Sequence, residues 1–210
     1  DYIDQAKRLG MKAMAFTEHG SIFSWVNKKR HIEAAGMKYI HGEEFYVTDT
    51  LDEKIRDNYH CCLYAKNFEG VLELNKLSSQ AFNRNDNHFY YAPRISLDEL
   101  LATSDNIIVS TACLGGILHN GNPIEKDKFI TFLQKNSNRC FLEIQHHSDE
   151  DGEQKKYNQQ LYNLSKTIGV PLIAGTDTHA LNSEHLEGRR MLQKAKGVGF
   201  ANEDSWDLTF

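Results

Sequence analysis

Asp177-Thr178-His179 sets a carboxylate and an imidazole two residues apart. On extended backbone such residues point to the same side and reach one ion together, and both donors suit zinc, manganese or iron. The pattern recurs along the chain. Five short apolar runs end in acid, imidazole or thiol: Ala13–Phe16 into Glu18-His19, Tyr39-Ile40 into His41-Gly42-Glu43-Glu44, Ile107–Val109 into Cys113, Phe141–Ile144 into His146-His147, and Pro171–Ala174 into Asp177 and His179. An apolar run followed by helical periodicity reads as a buried parallel strand feeding a helix. In barrels of such units the chemistry lies at the strand C-terminal ends, so the layout is that of a metal site built on strand ends.

Several choices stay open at this point. Strand alternation lets only one of Glu43 and Glu44, and at most one of His146 and His147, face a common site. Cys113, between a strand and Gly115-Gly116, is either an accessible thiolate or a small buried thiol. His60 precedes its apolar run, so the strand-end pattern does not select it. His88, His119 and His185 have no patterned neighbours and read as surface residues. A phosphate-binding Gly-rich loop after a strand and a Gly-x-Ser-x-Gly elbow are both missing from the sequence, which leaves nucleotide hydrolysis and serine-hydrolase chemistry without support.

The elements that must position these groups alternate. Helical spacing of Tyr2, Ile3, Ala6 and Leu9 ends at Gly10, and a strand runs to Phe16. Phe23 to Ala35 reads as a second helix closed by Gly36, followed by strand 38–47. Strand 61–65 leads to a helix striped by Phe68, Val71, Leu72, Leu74 and Leu77. A polar loop with scattered aromatics spans 78–93. Ser96-Leu97-Asp98-Glu99 forms a capping box and starts a short helix. After strand 106–112, Pro123 takes the first position of a helix ending near Lys135. Strand 140–145, a helix from about Glu150 to Gly169, strand 171–175 and a helix from Ser183 complete the chain. Without hairpin signals, this alternation predicts one α/β domain with a parallel sheet.

The chain has 210 residues, 40% of them hydrophobic, and a formal net charge of -5. No apolar stretch approaches the roughly 20 residues that span a bilayer. The acidic balance argues against holding nucleic acid by bulk electrostatics, and Lys28-Lys29-Arg30, Lys155-Lys156 and Arg189-Arg190 read as solvated helix faces. Four cysteines without a Cys-x-x-Cys, and no secretory signal, fit a reducing cytoplasm. A start at Asp1 within helical spacing and an apolar finish at Trp206, Leu208 and Phe210 read as a fragment of a longer polypeptide.

The sequence resembles the polymerase-and-histidinol-phosphatase (PHP) domains at the N-terminus of bacterial replicative DNA polymerase III alpha subunits. The resemblance rests on Phe16–Gly20, Gly42–Val47, His60–Asn67, Ser110–Gly116, Leu142–Gln145 with His147, Glu153–Lys156 and Asp177–His179. They run in family order and cover nearly the whole chain, and HCCLYAKN and STACLGG belong to the polymerase branch. The resemblance implies a distorted parallel (β/α)7-like barrel, here truncated at its N-terminus, with up to three divalent metals, zinc or manganese, at the strand C-terminal ends. It implies metal ligands at His19, Glu44, His60, Cys113, Asp177 and His179, thereby choosing Glu44 over Glu43 and adding His60; no catalytic residue is assigned. The family's opening His-x-His strand and a following acid would lie before residue 1. The implied activity is a metal-dependent phosphoesterase or 3′–5′ exonuclease within a DNA-directed DNA polymerase. The implied partners are DNA, reached through the full-length polymerase, and replisome subunits such as a proofreading subunit or sliding clamp. The alternatives are a non-catalytic structural or docking module and a free-standing histidinol-phosphatase-like enzyme. Two positions depart from the family: Glu18 stands where it usually has Asp, and Thr176–His179 where it has Asn-Asp-Val-His.

Overall fold

The computed structural model describes residues 1–146, 152–197 and 208–209. The chain begins with α1 (Tyr2–Arg8), β1 (Ala13–Phe16), α2 (Trp25–Ala34), β2 (Lys38–Thr48), β3 (Tyr59–Ala65) and α3 (Phe68–Ala81). It continues through β4 (Phe89–Tyr90), β5 (Ala92–Ser96), α4 (Leu97–Leu101), β6 (Ile107–Ser110), α5 (Ile117–Asn120) and α6 (Pro123–Lys135). The last elements are β7 (Cys140–Gln145), α7 (Glu153–Ile168), β8 (Leu172–Gly175) and α8 (Ser183–Lys196). Capping chemistry sets several helix starts. Ser96 and Glu99 close the expected box on α4, and Asn122 with Glu125 closes a second one on α6, behind Pro123. The expected helix start near Glu150, His147 from the stretches that carry the resemblance, and Trp206 and Phe210 lie outside the described residues.

The sheet runs β4-β5-β2-β3-β6-β7-β8, with β1 also on β2, and curls into a half-barrel. It is mostly parallel, as expected, with two departures. β3 is antiparallel to both β2 and β6, because β2 and β3 are joined by a polar loop rather than by a crossover helix. β4 and β5 form a hairpin inside what reads as a loop. Its turn residue is Tyr91, at φ +62, so no glycine or asparagine marks the turn in the sequence.

β2 organises the rest. One of its edges pairs with β1 over Lys38 to His41 and then with β5 over Tyr46 to Thr48, while its other edge carries β3. Phe45, Val47, Leu63, Ile95, Val109 and Leu142 form the core between the sheet and its helices. A smaller cluster of Ala6, Met14, Ile32 and Met37 packs α1 and α2 on β1. Of the stripe residues in α3 only Leu74 is fully buried, whereas Phe68 and Leu72 are exposed, so the apolar stripe is narrower than its sequence spacing. β8 is not the buried strand expected: Ile173 is exposed, because β8 closes one edge of the described sheet. Among the described residues no helix is long and apolar enough to cross a membrane, and all four cysteines are free thiols.

Glu43 and His88 are among the buried ionisable groups outside the strand-end cluster. Glu43, fully buried beside Ser78 of α3, has its carboxyl pushed up to about 8 by burial. His88 is not a surface residue. It is 4% exposed, with Asp86 at 2.7 Å on Nδ1 and Glu99 at 2.9 Å on Nε2. Burial pulls its pKa down, but the two carboxylates outweigh this and the net shift is upward. His119 is half-buried, edge-on to Tyr157 at 5.1 Å; of the three histidines expected at the surface, only His185 is exposed.

The raised His88 pKa means that its ion-pair stabilisation is complete below about 6.5 and is lost as pH rises through the folded-state value. The melting-temperature loss in His88→Gln is therefore expected to be larger at pH 6 than at pH 9; an equal loss at both would contradict it. Glu43 has the opposite consequence. The native state keeps a proton up to about 8 that the unfolded chain releases near 4.5, so stability falls as pH rises between them. Glu43→Gln is expected to raise the melting temperature at pH 8 by at least about 2 °C, with little change at pH 4.5.

Candidate metal centre

The point where the edge of β2 passes from β1 to β5 is where the first histidine enters. Beyond Phe16 the chain stays against β2 long enough for Gly20 N–H to donate to the Glu44 carbonyl at 2.8 Å and for His19 to bridge Glu44. Gly20 has φ +59, and a Cβ there would lie 2.9 Å from Pro93 and 3.0 Å from Tyr46. No larger residue fits that crossing. His19 Nε2 reaches Glu44 Oε2 at 3.0 Å.

The second histidine arrives from the opposite direction. Because β3 is antiparallel, its first residues lie beside the C-terminal half of β2, with His60 opposite Tyr46. His60 Nδ1 lies 2.8 Å from Glu44 Oε1 and 3.3 Å from Cys113 Sγ. The Gly115 N–H donates to that sulfur at 3.3 Å, and a Cβ on Gly115 would stand 2.8 Å from the His60 ring. The donor atoms of His19, Glu44 and His60 all lie within 4.8 Å of one another.

Asp177 and His179 follow β8 and approach from the far edge of the half-barrel. The His179 ring lies 5.4 Å from the His19 ring, its Nδ1 donating to the Asp177 carbonyl at 2.6 Å. Asp177 itself is held at φ +49. Thus the fold brings all six residues, His19, Glu44, His60, Cys113, Asp177 and His179, to one end of the sheet, with three of them tightly clustered. A cavity of about 640 Å³ opens beside them between β1 and β8, lined in part by Phe16, Cys62, Tyr64, Glu143 and Gly175.

Electrostatics explains how a buried carboxylate survives here. Burial pushes Glu44 up, but hydrogen bonds and charge from His19 and His60 overcome this and hold its pKa at about 2. His19 is raised in return, chiefly by its bond to Glu44. Cys113 is pushed well above the usual thiol range by burial, then by Glu44 and Asp177. Glu143 is likewise raised, first by burial; its carboxylate accepts from the Ser110 hydroxyl and from the Gln145 amide. Two carboxylates, three imidazoles and a thiol are a donor set suited to zinc or manganese, and loss of the thiol proton on binding would remove the penalty at Cys113.

The other residues of the strand-end clusters turn elsewhere. Glu18 pairs with Lys28 of α2 at the rim. Glu43 faces the other side of β2, and His41 contacts Tyr39 and Asn75 at 3.0 Å each. His146 is exposed. His60 is the residue that strand-end reasoning missed: its position before an apolar run is a signal only once that strand is known to run antiparallel. Tyr46 was not singled out either, although its ring lies 6.0 Å from that of His19 and 5.3 Å from that of His60.

The chain is similar to proteins named DNA polymerase III subunit alpha. That of Borreliella burgdorferi is 35% identical over 195 residues, covering 88% of this chain and 17% of the relative. Those of Aquifex aeolicus (32% identical, 88% of this chain, 17% of the relative) and Helicobacter pylori strain 26695 (33%, 83% and 16%) are comparable. The chain therefore spans about one sixth of the length of these relatives. Among solved structures, a candidate metal-dependent phosphoesterase from Bifidobacterium adolescentis shares the fold with a TM-score of 0.53 and 14% identity, over 82% of this chain and 79% of the other. The PHP domain model matches residues 1–147, and by that match the chain belongs to the PHP domain family.

Proposed function

We propose that the chain is the PHP domain of a replicative DNA polymerase III alpha subunit and carries a divalent-metal site that hydrolyses phosphodiesters, acting as a 3′–5′ exonuclease on DNA. The carrying observation is Glu44, a carboxylate 5% exposed, ionised, and bridged by His19 and His60 at one end of the sheet. The polymerase assignment rests on the relatives' names and on residue stretches spread along the chain. DNA and other replisome subunits, a proofreading subunit or sliding clamp among them, are then its partners, and the cytoplasm its compartment.

His19, Glu44, His60, Cys113, Asp177 and His179 would hold up to three cations, zinc or manganese. A bound cation supplies positive charge that activates water and polarises the phosphodiester. The residues contribute the rest. Glu44 stays ionised at any physiological pH and fixes the orientation of His19 and His60. Cys113 has to release its proton to act as a ligand, so metal affinity should rise with pH. The Tyr46 ring, beside both His19 and His60, limits the freedom of both imidazoles.

A scaffold role without chemistry is the second reading, favoured by one observation: the imidazole–carboxylate contacts already hold Glu44, His19 and His60 together without a cation. A free-standing phosphatase is the weaker alternative, since the relatives are polymerase subunits.

Elemental analysis of the purified polypeptide is expected to find at least one zinc or manganese per chain, lost in the His60→Ala, Asp177→Ala double variant. Metal absent from the wild type would leave only the scaffold reading. In the full-length polypeptide, Asp177→Ala with His179→Ala is expected to abolish manganese-dependent removal of 3′ nucleotides. Survival of that activity would place the nuclease elsewhere.

A further inference from the structure

The hairpin of β4 and β5 carries aromatic and basic side chains that the metal cluster does not use. Tyr91, at the turn, is 67% exposed and held at φ +62. A bulky residue rarely adopts that conformation, and a plain turn would take glycine or asparagine. One face of its ring is covered by the Arg56 guanidinium at 3.4 Å from the centroid, and Tyr90 meets it edge-on at 4.7 Å. Arg84, from the segment between α3 and β4, lies over the ring of Phe89 at 4.1 Å.

The hairpin is next to the cluster. Pro93, two residues after Tyr91, is the atom neighbour that forbids a side chain on Gly20, and Gly20 follows His19. Tyr46 packs on the same glycine, and its ring lies 6.0 Å from that of His19 and 5.3 Å from that of His60. Exposed aromatics flanked by arginines are the hardware with which proteins hold unpaired bases, each ring stacking one base without regard to sequence.

We infer that the Tyr91 hairpin is a stacking platform for the bases of a single-stranded DNA end and presents that end to the cluster. The inference rests on the phosphodiesterase reading and deepens it by assigning the residues that hold the strand. The net charge of -5 bears on how the platform works. With a negative chain overall and two arginines at the platform, affinity comes from stacking, and the dependence on salt is shallow: two phosphate contacts give a log–log slope of only about -1.4.

The test is fluorescence anisotropy of the chain with a 5′-labelled oligothymidylate, and with the same strand carrying abasic sites at its three 3′ positions. Tyr91→Ala is expected to weaken binding of the normal strand about five- to tenfold, Tyr91→Phe to stay within about twofold, and the abasic strand to bind weakly and respond to neither change. Equal affinity of wild type and Tyr91→Ala for the normal strand would overturn the platform. So would an equal loss on both strands, with a lowered melting temperature as the mark of a merely structural role. Manganese-dependent hydrolysis of bis(p-nitrophenyl) phosphate by the wild type, measured in parallel, tests the phosphodiesterase reading separately. Intact base-dependent binding without hydrolysis would overturn that reading and leave the platform standing.

Discussion

A carboxylate buried as deeply as Glu44 would ordinarily be neutral, and keeping it ionised requires two partners that reach both of its oxygens. That requirement explains much of the topology. One imidazole comes from the end of β1 and the other from the start of β3, so strands of opposite direction must flank β2 at the same level. The β2 edge must also be released by β1 before β5 takes it over, because His19 occupies the interval between the two pairings. Gly20 and Gly115 are spaces cut for this purpose, the first for a backbone crossing and the second for the His60 ring.

Most element positions were legible in the sequence because strand and helix periods differ and the breaks fall on capping residues. Gly36 and Gly169 close helices where the spacing predicts, and Ser96 opens one. Direction was not legible. Whether β3 runs with or against β2 depends on the connection 49–58, whose polar sequence fits either a loop or a return, and the functional reading of His60 turned on that choice. Burial of His88 was hidden for a related reason. Asp86 is a sequence neighbour, but Glu99 comes from α4 and meets His88 only after the hairpin has folded back. The half-buried state of β8 is an edge effect, and an edge is a property of the whole sheet rather than of four residues.

The candidate site divides the same way. Asp177 and His179 are visible as a pair because extended backbone enforces their common direction, and His19 and Cys113 because each follows an apolar run. Choosing between Glu43 and Glu44 needs the absolute phase of β2, which alternation alone does not supply. The structure gives that phase: Phe45 and Val47 pack in the core and leave Glu44 and Tyr46 on the opposite face, with the cluster.

The two carboxylates of the cluster act on the titratable groups around them. Glu44 and Asp177 both raise His19, both raise the Cys113 thiol, and both raise Glu143. Three different groups are thereby driven toward binding protons, Cys113 and Glu143 first by burial and then by the excess of negative potential from the two carboxylates. Protons on imidazole, thiol and carboxyl satisfy that excess at the cost of silencing the same lone pairs that would serve as ligands. A divalent cation satisfies it with two charges at one point and frees the lone pairs at once, so the cluster and its cation are complementary in charge as well as in donor type. On the proposed function, the acidity of the chain as a whole would be no obstacle to a polyanionic substrate: attraction would be concentrated in the cation, and the rest of the grip would come from rings that carry no charge.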